Sequence, residues 1–257
     1  MSAVVVDYPP LRPRRVAVTL VGGGLALALL LSVVGWTIVT WLTPSALTRW
    51  EDSVNQWAAD ARTPTWNSIS HVGSYLAETV TCIALLVVMV LVLRWWLGRW
   101  RESWTLTAAI VGELLVFLVV TAVVNRPRPL VPHLDAAPPT SSFPSGHTGA
   151  AVALYGCIAV IVWRSARNRA LAGVVVVVCT VIPVCVASAR IYRGMHHPSD
   201  VLFGALGGGT WPLLVLATLL PLGRLTTVRE DRRRASGATT DTGPSSAADP
   251  ATQLPAR

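Results

Sequence analysis

The sequence predicts an all-α fold: a polytopic integral membrane protein built on a bundle of six transmembrane helices. Three observations carry that expectation. Of the 257 residues, 53% are apolar and only 13% charged, whereas an average soluble domain is about a quarter charged. Six mostly apolar stretches of about 18 residues or more recur along the chain, each long enough at 1.5 Å per residue to cross a hydrocarbon core of ~30 Å. All 21 basic residues are arginine, and they gather beside those stretches. A net charge of +8 therefore points to the membrane-flanking role of arginine rather than to nucleic acid.

The spans read as 16–42, 72–97, 104–124, 147–164, 170–189 and 199–222. The first follows Arg12, Arg14 and Arg15 as a signal peptide follows its basic region. Its apolar run is too long for a cleaved signal and no small-residue cleavage site follows, so it reads as a retained span. The 43–71 connection mixes Trp50, Trp57 and Trp66 with polar residues, the pattern of an amphipathic segment lying on the membrane interface. Trp36, Trp41, Trp95, Trp96, Trp100, Trp104 and Trp163 fall near span ends, as an aromatic belt does. Residues 1–15 read as a short cytoplasmic segment. Residues 16–224 form one transmembrane domain with its motif-bearing core over 104–222, and 225–257 have the composition of a disordered cytoplasmic tail. Cys82, Cys157, Cys179 and Cys185 lie inside apolar spans and read as small packing residues, not as a disulfide framework.

Orientation follows from the arginines. One set of connections carries fourteen of them, at 12–15, 94–101, 164–169 and 224–234; the alternate set carries six, Arg49, Arg62, Arg126, Arg128, Arg190 and Arg193. Arginine-rich loops are cytoplasmic. Both termini are therefore expected inside, with 43–71, 125–146 and 190–198 outside.

Polar residues are scarce, so their clustering is informative. Residues 125–129 read Asn-Arg-Pro-Arg-Pro, 143–148 Phe-Pro-Ser-Gly-His-Thr, and 188–200 Ser-Ala-Arg-Ile-Tyr-Arg-Gly-Met-His-His-Pro-Ser-Asp. All three fall on the expected outer side. Pro144-Ser145-Gly146-His147 precedes a helix start, where free N–H groups and the positive end of the dipole receive an anion. Ser145 can cap that helix and donate its hydroxyl, and Gly146 permits close approach of a ligand to the backbone. Arg190, His196 and Asp200 follow at spacings of six and four. The carboxylate of Asp200 is expected to accept the Nδ1 proton of His196 and leave Nε2 free as a nucleophile. Arg190 is expected to fork onto phosphoryl oxygens. Between 125 and 200 the only acidic residues are Asp135 and Asp200, too few for a two-metal site, so no metal or cofactor is expected.

These motifs resemble those of the PAP2 superfamily of phosphatases, which it shares with vanadium haloperoxidases. The family pattern is Lys-x6-Arg-Pro, Pro-Ser-Gly-His and Ser-Arg-x5-His-x3-Asp. The second is intact at 144–147. The third stands as Arg190, His196 and Asp200, with Ala189 in place of the serine. In the first, Arg128-Pro129 puts Thr121 at the lysine position and Arg126-Pro127 puts Val119 there; neither is basic. The resemblance spans roughly 70–222. It implies that His196 attacks phosphorus and forms a phosphohistidine, that Asp200 orients it, and that His147 protonates the leaving oxygen and later activates water. It further implies that Arg128, Arg190, Ser145 and the Gly146 backbone bind the phosphoryl oxygens. Arg126 is the candidate to replace the missing lysine, which makes Arg126→Ala as costly as Arg128→Ala.

The resemblance also implies a lipid substrate in the bilayer, and no nucleic-acid partner. A polyprenyl diphosphate such as undecaprenyl diphosphate is the favoured reading. Phosphatidic acid, phosphatidylglycerophosphate or a phosphotransfer role are alternatives, and a non-catalytic lipid-phosphate binder is a further one. Of the remaining polar residues, His133 and Asp135 read as a solvated loop, Tyr192 and Arg193 as interfacial anchors, and Glu113 as a carboxylate in the cytoplasmic half held by an interhelical hydrogen bond.

Overall fold

A computed structural model describes residues 8–137 and 139–221. These residues are folded as eight helices in chain order: α1 (Pro13–Trp41), α2 (Ala46–Asp60), α3 (Pro64–Tyr75), α4 (Thr79–Leu97), α5 (Arg101–Val123), α6 (Gly146–Ser165), α7 (Arg169–Tyr192) and α8 (Pro198–Leu219). Six of them, α1 and α4 to α8, are long and apolar enough to cross a membrane. The expected tail at 225–257 lies outside the described residues.

The spans differ from expectation chiefly at 72–78. The apolar run there is shared by two helices. α3 ends at Tyr75, and α4 begins at Thr79 after Glu78 adopts an extended backbone. Residues 46–75 form two helices outside the spans rather than a loop. Each begins at a hydroxyl cap: Ser45 accepts from Thr48 N–H and Thr63 from Trp66 N–H, which satisfies donors that a helix start leaves free. Trp50, Trp57 and Trp66 project from these helices and are exposed.

α6 is the central element, packed between α5, α7 and α8 and buried along most of its length. Small residues bring α8 against it. A Cβ on Gly208 would collide with the Gly149 carbonyl, and one on Gly204 would stand 2.5 Å from the Ser145 oxygen. Backbone-to-backbone approach of this kind is how spans associate where hydrophobicity offers no driving force between them. Cys82, Cys157 and Cys179 are buried as expected, whereas Cys185 is exposed on the outer surface of α7.

One segment sets the depth of the site. After α5 ends at Val123 the chain runs extended and returns through Phe143, which is fully buried among Ile38, Val120 and Val124. That anchor draws the Pro-Ser-Gly-His segment into the end of the bundle, so α6 starts below the rim.

Candidate active site

The three motifs meet at one end of the bundle, where α6 and α8 both begin. Ser145 N–H donates to the Asp200 carbonyl at 2.9 Å, which ties the two helix starts together. Two positive dipole ends side by side favour an anion. Ser145 occupies the N-cap position of α6, but its hydroxyl does not cap; it pairs with the Thr148 hydroxyl at 3.0 Å.

His196 lies in the turn between α7 and α8 and is 4% exposed. Gly194 makes that turn. Its φ is +74°, and a side chain there would press on Val131, Arg62 and the Pro132 carbonyl, so both backbone and space require glycine. The Nδ1 of His196 stands 2.8 Å from the Ser142 carbonyl and 3.8 Å from Asp200 Oδ2. A carbonyl only accepts, so Nδ1 carries the proton and Nε2 presents its lone pair. The expected tautomer is therefore held by Ser142, not by Asp200. The reason is that Asp200 Oδ2 is already engaged. It accepts from His197 N–H at 2.8 Å, lies 3.2 Å from His197 Nδ1 and takes the Ser142 hydroxyl. Asp200 acts on His196 as a neighbouring charge. Burial lowers the His196 pKa below the usual histidine value, Arg190 and Arg128 push the same way, and Asp200 opposes. The net effect keeps the imidazole neutral.

Arg128 and Arg190 stand within electrostatic reach of both His196 and His147. Arg128 donates from Nη1 to the Met195 carbonyl at 2.7 Å, and burial lowers its pKa. Arg190 donates from Nη1 to Ser74 Oγ at 2.7 Å and Asp135 Oδ2 at 2.9 Å. In both guanidiniums Nε is buried without a partner among the described residues. Ala189 lacks the hydroxyl of the family pattern, and it packs on Gly73 of α3; the hydroxyl that holds Arg190 comes from the next residue of α3, Ser74.

The register of the first motif is resolved by exposure. Val119 is 48% exposed on the outside of α5, whereas the Thr121 hydroxyl is buried with no partner among the described residues. Thr121, paired with Arg128, is the inward position. Arg126 is not brought to this group. It lies behind Asp200, 6% exposed, with Nη1 2.5 Å from Asp200 Oδ1 and 2.7 Å from Ser199 Oγ, and Nη2 2.7 Å from Glu51 Oε2. Two carboxylates and a hydroxyl take up its guanidinium, so the expectation that it replaces the missing lysine at the phosphate is corrected.

Several polar residues hold more structure than their sequence suggests. Asp135 does not belong to a solvated loop. It pairs with Arg190 and with Arg193 Nη2 at 2.5 Å; burial alone would raise its pKa, and the two arginines outweigh that and lower it. Arg193 also donates to the Asn67 carbonyl, Ser70 and the Leu134 carbonyl, and the Tyr192 hydroxyl meets Asn67 Oδ1, so both lock α3 to the motif turn. His133 Nε2 lies 3.1 Å from the Pro129 carbonyl. Glu113 makes no hydrogen bond among the described residues. Its Oε1 lies against Gly149, one turn below Ser145, and it lines a narrow crevice with Leu31, Phe117, Ser145, Phe203 and Gly204. Sequence placed Glu113 in the cytoplasmic half, whereas Phe117 and Glu113 of α5 stand against Gly146 and Gly149 in the first turn of α6.

Glu51 and Asn55 are the residues that sequence reasoning missed. Both are buried on the inward face of α2 and bond to the motif turn. The one signal in the sequence was their spacing of four, overshadowed by the tryptophans around them. No cluster of three or more metal-ligating side chains occurs among the described residues.

Comparison with known proteins agrees with this fold. No curated protein sequence gives a significant match. Among solved structures, the first transmembrane PAP2-type phosphatidylglycerolphosphate phosphatase from Bacillus subtilis is similar at a TM-score of 0.69. It is 22% identical, with 79% of this chain and 98% of that one covered. Aquifex aeolicus LpxE is similar at a TM-score of 0.53 and 23% identity, with 64% of this chain and 93% of that one covered. Residues 75–223, more than half of the chain, match the PAP2 superfamily. The chain belongs to the PAP2 superfamily, and it is a multi-pass membrane phosphatase of that type.

Proposed function

We propose that this protein hydrolyses a lipid phosphate through a phosphohistidine on His196, without a metal ion, at the extracytoplasmic face of the plasma membrane. The observation that carries the reading is the Nδ1–H of His196 locked on Ser142, which leaves a neutral Nε2 among Arg128, Arg190 and His147. The Nε2 lone pair forms the N–P bond as the P–O bond to the lipid breaks, and the leaving oxygen takes a proton from His147. His147 then removes a proton from water, water oxygen bonds to phosphorus, and the N–P electrons return to Nε2. Arg128 and Arg190, Ser145 and the Gly146 N–H bind the phosphoryl oxygens and the charge that builds on them.

The favoured substrate is a polyprenyl diphosphate, cleaved to the monophosphate, which would place the protein in recycling of the cell-wall lipid carrier. A phosphatidylglycerophosphate or phosphatidic acid is the second reading, and the named activity of the Bacillus subtilis neighbour favours the former of these. Purified protein in detergent with EDTA, offered each lipid, tests both. Phosphate release that persists in EDTA and vanishes in His196→Ala is the expected result, and the lipid turned over fastest names the substrate. The sidedness rests on the arginine distribution. Labelling of a cysteine placed at His133 by a membrane-impermeant maleimide in intact cells is expected; protection from the reagent until lysis would reverse the orientation.

A further inference from the structure

The six spans and three motifs do not complete this site by themselves. α2 lies outside the spans, with Trp50 and Trp57 on its exposed side and Glu51, Asn55 and Ala58 on its buried side. A short helix on a membrane protein's rim has no need to bury a carboxylate, which is costly unless paired and hydrogen-bonded. Here each buried polar group grips the motif turn. Glu51 Oε1 accepts from the Ser199 N–H at 2.8 Å, one of the free donors in the first turn of α8. Its Oε2 accepts from Arg126, whose other terminal nitrogen holds Asp200. Asn55 Nδ2 donates to the carbonyl of His196 itself at 3.1 Å.

We propose that Glu51 and Asn55 are positioning residues, a fourth element of the active site that fixes the His196 turn and sets the charge standing behind it. The inference rests on His196 being the nucleophile. Glu51, Arg126 and Asp200 form a carboxylate–guanidinium–carboxylate chain. Two negative charges share one positive charge, which leaves a net negative charge on the Nδ1 side of His196. When Nε2 bonds to phosphorus the ring becomes cationic, and that residual charge stabilises it. Without Glu51, Arg126 would neutralise Asp200 and the ring cation would face Arg128 and Arg190 with no net counter-charge. The same chain explains why Arg126 sits behind the site. Asn55 supplies geometry and no charge. The charged and titratable groups facing His196 are Asp200 from α8, Arg190 from α7, His147 from α6 and Arg128 from the extended segment; Glu51, Arg126 and His197, whose Nδ1 lies 3.2 Å from Asp200 Oδ2, act through Asp200.

The test uses full-length protein in detergent with the lipid that the wild type hydrolyses, and compares kcat, KM and the acid limb of the pH profile. Glu51→Gln keeps the shape and removes the charge. It is expected to lower kcat at least tenfold with KM within about twofold, and to move the acid limb to lower pH, because a negative charge that favoured protonated His196 is gone. Asn55→Ala is expected to lower kcat with the limb unmoved. In the double variant Glu51→Gln with Arg126→Gln, the limb is expected to return towards its wild-type position. A purely structural clamp would lower the melting temperature of Glu51→Gln while kcat per folded molecule and the limb stayed as in wild type, and that result overturns the proposal. Should Glu51→Gln not fold, Glu51→Asp and Asn55→Ala carry the test: a fall in kcat in both supports the proposal, and unchanged kcat in both overturns it. His196→Ala is measured alongside. Turnover surviving in it sinks the phosphohistidine reading; its loss combined with wild-type behaviour of the Glu51 and Asn55 variants sinks only the present inference.

Discussion

The two ends of the bundle divide the arginines unequally, fourteen to six along the sequence, and put them to different uses. At the end away from the motifs, Arg101 donates from Nε to the Leu219 carbonyl at 2.7 Å, and Arg164 donates to the Leu220 and Pro221 carbonyls at 2.6 and 3.0 Å. These are the carbonyls that α8 leaves free at its C-terminus. The guanidiniums of Arg99, Arg101 and Arg164 also stack over the ring of Tyr8 at 5.0, 4.9 and 6.0 Å. Cations there meet the negative end of a helix dipole and the face of an aromatic ring. At the motif end the two termini that meet, the starts of α6 and α8, are N-termini, so cations and dipoles add rather than cancel. Glu51, Asp135 and Asp200 pair with Arg126, Arg190 and Arg193 in this cluster, and Arg128 is held by the Met195 carbonyl. What differs is how the arginines are held: at the first end they bond to carbonyls at the end of α8, and at the second they gather around the starts of α6 and α8.

The largest expected effect separates the ends by function. Arg190→Ala and Arg128→Ala should each lower kcat/KM by about 10²–10³, the usual cost of one oxyanion donor. Arg164→Ala should leave kcat/KM within about twofold. An Arg190→Ala enzyme with full activity would break the comparison.

Protonation sharpens it next. Burial holds His196 below the ordinary histidine pKa, so the nucleophile stays neutral as pH falls through about 6.5. Corrected for ionisation of the substrate phosphate near pH 6, the acid limb of kcat/KM should lie below that value. A limb at or above it would mean that His196 is solvated or that another group limits the rate.

Smaller effects concern stability. Gly194→Ala forces a left-handed backbone on a residue with a Cβ and crowds Val131, and it should cost about 1–3 kcal/mol. Thermal unfolding in detergent would show this as a lower midpoint, with a matching loss of activity because His196 follows two residues later. Arg164→Ala removes two bonds to carbonyls at the other end and should cost about 1–2 kcal/mol, visible in the midpoint alone. Equal loss of activity in the two variants would erase the distinction between cap and site.

Much of this molecule was decided along the chain. Six apolar runs cannot be soluble, and a bilayer accepts them only as helices because every backbone N–H and C=O must be satisfied within the segment. Spans were therefore legible, and so was the gathering of the motifs, because Ser145, Gly146, His147, Arg190, His196 and Asp200 stand at helix ends or in one turn, where local spacing is enough. What depended on distant residues was not legible. Nothing in the order of residues says that Phe143 sinks among Ile38, Val120 and Val124 and so lowers α6 to the level of Glu113. Nor does it say that Ser142, fifty-four residues away, takes the Nδ1 proton of His196. Arg126 and Arg128 are two residues apart and alike in chemistry; only packing assigns one to a pair of carboxylates and the other to the Met195 carbonyl beside His196. The same holds for Glu51, which its neighbours Trp50 and Trp57 disguise as part of an interfacial helix. Periodicity reports which face of a helix is apolar, a local property. Which buried charge meets which depends on how separate helices dock, and that was decided by close contacts such as Gly149 against Gly208 and by the need to pair every carboxylate and guanidinium removed from water.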